Sequence, residues 1–255
     1  MFNYISSFKD SIIVINKNKL ICVNNGTIKE LNHSNNIVII EENYFIDSEK
    51  NLYKVDKDVM RFITKLEKGV SKLCFYKNNL FLADRFGDVY KISEKNELIL
   101  GNLTYNTSLV IHNDLIYTSD KYGRIRISDL KGTILSYEFI SKNPIISMCM
   151  ISKGLVVCTT TKLIFLDIFY KINSEFDISN IRKVIKFDDE SVLVLADKTM
   201  LFNSQGLIST FEFAFDACVN KNDIFFINKE KDLIYDKKIL LKLQDDFLNY
   251  LDNLK

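Results

Sequence analysis

One pattern recurs along the chain and limits what it can fold into: an apolar strand end, a short polar turn, then a second apolar strand. It reads VINKNKLICV from Val14, VIIEENYFID from Val38, CFYKNNLFLAD from Cys74 and VIHNDLIYTSD from Val110. It returns as MISKGLVVCT from Met150, IKFDDESVLVLAD from Ile185 and CVNKNDIFFIN from Cys218, which makes seven copies. The second strands begin near Leu20, Tyr44, Leu80, Leu115, Leu155, Val192 and Ile224, at intervals of 24, 36, 35, 40, 37 and 32 residues. A third strand follows each hairpin: TIKEL at Thr27, LYKV at Leu52, DVYKI at Asp88, RIRIS at Arg124, LIFLD at Leu163, MLFN at Met200 and LIYD at Leu233. A fourth, more polar strand often comes next, as in RFITKL at Arg61 and ILSYEF at Ile134.

Four short antiparallel strands in a repeating unit of this size are the signature of a propeller blade. The nearly continuous apolar second strand suits a strand covered on both faces, and the alternating outer strand suits one half in solvent. The expected fold is all-β, a seven-bladed β-propeller of WD40-like but degenerate repeats over residues 1–244. The first interval, 24 residues, is short for a blade. Either that blade is trimmed, or the strand around Phe2–Ile5 completes the last blade. Helical periodicity is confined to the end, where Asp245–Leu254 spaces Phe247, Leu248, Leu251 and Leu254 on one face behind acidic residues, which predicts a C-terminal helical cap over 245–255.

Composition supports a folded domain without adding a function. Hydrophobic residues are 47% and charged residues 26% of the chain, so disorder is not expected. A net charge of +1 lacks the basic excess of a protein that grips nucleic acid unaided, so contact with RNA is expected to be local or shared with a partner. The five cysteines, Cys22, Cys74, Cys149, Cys158 and Cys218, are widely spaced with no C-x-x-C pair, which points to buried free thiols in a reducing, intracellular compartment and to no metal site. No apolar run is long enough to predict a membrane span, and Met1–Asp10 lacks the pattern of a secretory signal.

Chemistry-bearing motifs are scarce. Of the two histidines, His112 falls in a repeat turn and His33 in an Asn-rich loop; both are expected at the surface, and neither has the setting of a catalytic base. The pair Asp188–Asp189 sits in a repeat turn, where Asp is favoured for backbone reasons. No catalytic residue is nominated. Two segments stand out: Leu82–Ile92, with Arg85 and Asp88 around Gly87, and Tyr117–Ser128, with Lys121, Arg124 and Arg126 in one hairpin. In a strand Arg124 and Arg126 share a face while Ile125 and Ile127 share the other. Two guanidiniums side by side call for anions, either carboxylates of the same fold such as Asp120 or Asp129, or a partner or phosphate.

These segments resemble the WD-repeat non-catalytic subunit of the eukaryotic tRNA (guanine-N7-)-methyltransferase. Ala83–Tyr90 (ADRFGDVY) is similar to its A-D-K-x-G-D-V-Y motif, Ile99–Tyr105 (ILGNLTY) to L-L-G-H-x-S-M, and Thr118–Ser128 (TSDKYGRIRIS) to T-A-D-R-D-E-K-I-R-V-S, in the same order and spacing. Asn102 stands where the blade histidine would be, Tyr122–Gly123 replace an acidic pair, and LIFLD lacks the usual tryptophan. The resemblance covers Leu80 to Ser128 and fades beyond it.

The resemblance implies a non-enzymatic subunit in a heterodimer with the catalytic methyltransferase, helping to seat tRNA for methylation of a variable-loop guanine. S-adenosylmethionine would belong to the catalytic partner alone, and the complex would reside in the nucleus, with some in the cytoplasm. Partner-binding residues carry over onto Arg126, Arg124 and Lys121 with Asp120 in support, and Arg85 onto partner or tRNA. The alternative is a WD40-like scaffold of another intracellular complex, in ribosome assembly or trafficking.

Overall fold

A computed structural model of the chain describes residues 4–9, 11–24, 27–56, 59–93, 96–101, 104–221, 223–229, 232–235 and 238–241. The C-terminal helix expected over 245–255 lies outside the described residues. Seven four-stranded antiparallel sheets follow one another, each built from consecutive strands. They fall into two compact units, residues 66–210 and residues 1–65 with 211–255.

The first unit, residues 66–210, holds blades three to six. Blade three has β9 (Val70–Tyr76), β10 (Asn79–Asp84), β11 (Val89–Ile92) and β12 (Glu97–Leu100). Blade four has β13 (Asn106–His112), β14 (Leu115–Asp120), β15 (Arg124–Asp129) and β16 (Ile134–Phe139). Blade five has β17 (Ser147–Ile151), β18 (Gly154–Cys158), β19 (Lys162–Leu166) and β20 (Ile172–Asp177). Blade six has β21 (Lys183–Lys186), β22 (Ser191–Leu195), β23 (Thr199–Asn203) and β24 (Gly206–Phe211).

Side-chain alternation explains why the second strands are apolar throughout. In β18, Leu155 and Val157 enter one core with Tyr117, Ile125 and Ile127 of blade four. Val156 and Cys158 enter the opposite core with Val184, Val192 and Phe202 of blade six. Each strand thus fills two cores, and each fully buried Leu or Val contributes about 1.5–3 kcal/mol. Fourth strands such as β16 and β20 alternate exposed with half-buried residues, as the sequence leads one to expect.

The second unit holds blade one, with β1 (Tyr4–Phe8), β2 (Ser11–Asn16), β3 (Lys19–Asn24) and β4 (Thr27–Asn32). Blade two has β5 (Ile37–Glu41), β6 (Tyr44–Asp47), β7 (Asn51–Asp56) and β8 (Val59–Lys65). Blade seven has β25 (Asp216–Asn220), β26 (Asp223–Ile227), β27 (Leu233–Tyr235) and β28 (Lys238–Leu241). Ile12 and Val14 of β2 pack on the blade-seven side with Cys218 and Ile227, while Ile13 and Ile15 pack with Phe45 and Val55 of blade two.

Blade one corrects the expected frame. VINKNKLICV is the second hairpin of its blade, β2–β3, and TIKEL is the fourth strand rather than the third. Tyr4–Phe8 pairs with β2 as the first strand of blade one and does not complete the last blade. Counted from Ser11 rather than Leu20, the second strands of blades one and two are spaced like the others, and the first blade is whole.

A recurring aspartate builds the turn after the second strand. Asp47 Oδ1 accepts hydrogen bonds from the backbone N–H groups of Glu49 and Asn51, at 3.0 and 2.8 Å. Asp84 Oδ1 accepts three, from Phe86, Gly87 and Asp88, at 2.8–3.0 Å. A residue of the loop before the blade often takes the other oxygen: His33 Nε2 lies 3.0 Å from Asp47 Oδ2, Lys68 Nζ 3.1 Å from Asp84 Oδ2, and Asn180 Nδ2 2.9 Å from Asp197 Oδ2.

His33 therefore departs from the surface position expected for it. It is 9% exposed and packs edge-on against Phe45 and Tyr53, because its ring nitrogen meets a buried carboxylate. His112 is half-buried next to the β13–β14 turn.

Candidate functional site

The hairpin joining β14 to β15 carries four of the five nominated residues. Asp120 ends β14 and is buried, and its Oδ1 accepts the backbone N–H groups of Tyr122 and Arg124 at 2.8 and 3.2 Å. Its Oδ2 accepts from Arg124 Nε and Nη2 at 2.8 and 2.6 Å. Here an arginine of the same turn takes the oxygen that a loop residue holds in blades two, three and six. Asp120 raises the pKa of Arg124 further above its ordinary value. Gly123 has φ +76°, and a Cβ there would lie 1.8 Å from the Ser141 carbonyl oxygen, so the turn requires glycine.

Lys121 is exposed at the tip, 5.1 Å from the centre of the Tyr122 ring, which the Arg124 guanidinium also approaches, at 5.2 Å. Cation–π attraction holds both charges near that ring without neutralising them.

Arg126 is different. Strand alternation places it on the face of Arg124, while Ile125 and Ile127 enter the core behind, as expected from their spacing. It is only 7% exposed. Its Nη1 donates to the carbonyl oxygen of Gly101 at 2.9 Å, and its buried Nε and Nη2 meet no acceptor among the described residues. A buried donor without a partner costs about 1–3 kcal/mol, more when charged. Asp129, the other nearby carboxylate, instead accepts the Lys131 and Thr133 N–H groups of the next turn at 2.9 and 2.8 Å.

Thr118, Arg126 and Tyr137 lie opposite one another across β14, β15 and β16, and Arg124 lies opposite Phe139. Thr118, Arg124, Arg126 and Tyr137, with Thr104, Asn106, Ser119 and Asp120, line a cleft of about 360 Å³. Beyond it, Leu135, Tyr137 and Phe139 alternate along β16, the outermost strand of the sheet, with exposures of 56%, 59% and 65%. The period-2 alternation in ILSYEF is the one signal of this apolar row in the sequence.

Arg85 is exposed on the turn made by Asp84, 5.1 Å from the Phe86 ring, and does not line the cleft. Lys68, not singled out from sequence, lies 3.1 Å from each of Asp84 Oδ2, Asp88 Oδ2 and Tyr90 Oη beside a smaller cavity of about 160 Å³. These partners raise its pKa, with the Tyr90 hydroxyl the largest contributor, so it is a fixed charge rather than a proton-transfer group.

Among the described residues no three His, Cys, Asp or Glu side chains are grouped to hold a metal ion. Burial pushes the Cys158 thiol up to about 12 and raises the Cys149 thiol as well, so both are poor nucleophiles. No helix among the described residues is long and apolar enough to cross a membrane.

No protein-family model matches the chain, and no curated protein matches it by sequence. Solved structures do. A chain of the mitotic checkpoint complex is 11% identical with TM-score 0.75, over 92% of this chain and 86% of that one. KlHsv2 with its loop 6CD replaced by a Gly–Ser linker is 15% identical with TM-score 0.67, over 91% and 89%. The WD40 β-propeller domain of Doa1 is 8% identical with TM-score 0.67, over 88% of each chain. The fold is thus a seven-bladed β-propeller, similar to the WD40 β-propeller domain of Doa1.

Proposed function

We propose that this propeller is the non-catalytic accessory subunit of a tRNA (guanine-N7-)-methyltransferase. It holds the catalytic subunit through the fourth blade and helps to seat tRNA; S-adenosylmethionine belongs to that partner, and the complex works in the nucleus. The observation that carries the reading is the pairing on one blade face of a basic row, Arg124 and Arg126, with the exposed apolar row Leu135, Tyr137 and Phe139. That combination suits a protein partner, because aromatic and arginine side chains carry most of the binding energy of interfaces. The resemblance of Leu80–Ser128 to the accessory subunit supplies the identity of the partner.

Arg126 is too buried for charge reversal to be a clean surface test, so the variants belong on exposed positions. Lys121→Glu combined with Tyr137→Ala removes a rim charge and the centre of the apolar row without touching the core. The double variant is expected to fold, to lose co-purification of the catalytic subunit, and to lower guanine-N7 methylation of tRNA. Unchanged co-purification and methylation would overturn the reading.

A second reading rests on a different observation. Exposed apolar side chains also line other blades, including Phe62, Leu98, Ile168 and Phe169. A scaffold with several partners in another complex, as in ribosome assembly or trafficking, uses such surfaces, and partners recovered by pull-down from native extract separate the two.

A further inference from the structure

We propose that the cleft on the fourth blade is a binding site for a single carboxylate, held side-on by Arg126. The inference goes beyond the docking reading and stands on the cleft alone, because a free anion can occupy it without any particular partner.

The unpaired donors are a specific pair. Nε–H and one N–H of Nη2 project in parallel from one edge of a guanidinium, at the spacing of the two oxygens of a carboxylate. In Arg126 these are the two nitrogens without an acceptor among the described residues, while Nη1 on the opposite edge is engaged by Gly101. The side chain is anchored at one end, and its bidentate end is buried with no acceptor among the described residues.

Charge selects the ligand. The cleft is lined by two arginines and one carboxylate, and Asp120 is fully engaged: Oδ1 by two backbone N–H groups, Oδ2 by two donors of Arg124. Arg124 and Asp120 cancel, which leaves one uncompensated positive charge on Arg126, suited to a monoanion. The hydroxyls of Thr104, Thr118, Ser119 and Tyr137 and the amide of Asn106 give the lining further polar atoms.

Shape points the same way. Arg126 Nε and Nη2 lie beneath the surface, and Tyr137, directly opposite and more than half exposed, would have to turn aside to admit a group to them. A flat carboxylate on a thin stem enters such a recess more readily than a tetrahedral phosphodiester with two ester arms.

The test is a titration of the full chain, labelled with ¹⁵N, following arginine Nε–H resonances at constant ionic strength. Acetate and dimethyl phosphate serve as the carboxylate and phosphodiester probes. The Arg126 resonance is expected to shift saturably with acetate, at several-fold lower concentration than with dimethyl phosphate, and to be missing in Arg126→Lys. Through-bond correlation in the unaltered chain supplies the assignment should that variant fail to fold. A resonance that acetate does not move overturns the site, and saturation by dimethyl phosphate at the lower concentration overturns the carboxylate assignment. Neither result depends on the methyltransferase subunit, whose co-purification tests the docking reading separately.

Discussion

Arg124 donates two hydrogen bonds from Nε and Nη2 to Asp120 Oδ2, at 2.8 and 2.6 Å, and so closes the turn that presents the basic hairpin of the fourth blade. The same carboxylate accepts two backbone N–H groups on its other oxygen. Asp120 is thus the structural member of the group, and Arg124 is the part of it that faces solvent.

The two residues should therefore respond unequally to truncation. Asp120→Ala strips the turn of its acceptors and is expected to cost about 1–3 kcal/mol in chemical denaturation. Arg124→Ala removes only a half-exposed pair and should cost less than Asp120→Ala does.

Gly123 gives a sharper case. Gly123→Ala would drive a Cβ to 1.8 Å from the Ser141 oxygen at φ +76°, so the hairpin must shift. A loss of about 2 kcal/mol or more is expected, since both strain and displaced backbone contribute. An unchanged melting temperature would show that the turn is not held as described.

Acid sensitivity follows from Asp47. Burial opposes its charge, but hydrogen bonds from Asn35, Asn51 and His33 outweigh that and hold its carboxyl at about 2. A carboxyl depressed in the folded state adds stability that is complete above its unfolded pKa and fades as pH falls through the folded value. Stability should therefore decline from about pH 4 toward pH 2, and Asp47→Asn should flatten that decline while lowering stability at neutral pH by about 2 kcal/mol. Melting curves of the two proteins across that range provide the check.

Much of this architecture is readable from the chain, because each second strand fills two cores and so writes an unbroken apolar run such as Leu155–Cys158. The frame slipped only in blade one. There the β2–β3 turn is Asn16–Lys19 with Lys17 at φ 59°, without the aspartate that ends YFID, FLAD and YTSD, so nothing local distinguishes it from a first hairpin. The burial of His33 is not legible from its neighbours, because its partner, Asp47, lies 14 residues further along the chain.

The site was half legible for the same reason. Period-2 spacing gives the shared face of Arg124 and Arg126, and it gives Ile125 and Ile127 to the core. Only the tertiary structure separates the two arginines, since Asp120 lies four residues from Arg124 and the Gly101 carbonyl that anchors Arg126 comes from the segment leading into blade four. The apolar row on β16 gained its meaning from register, which sets Tyr137 opposite Arg126 and Phe139 opposite Arg124.

The most direct test of the account is co-expression of the chain with the catalytic tRNA (guanine-N7-)-methyltransferase subunit of its own source, followed by co-purification of the wild type and of Lys121→Glu/Tyr137→Ala. The account expects a stoichiometric complex with the wild type and its loss in a double variant that melts within a few degrees of the wild type. A wild-type chain that never retains the catalytic subunit, or a folded double variant that retains it fully, contradicts the account.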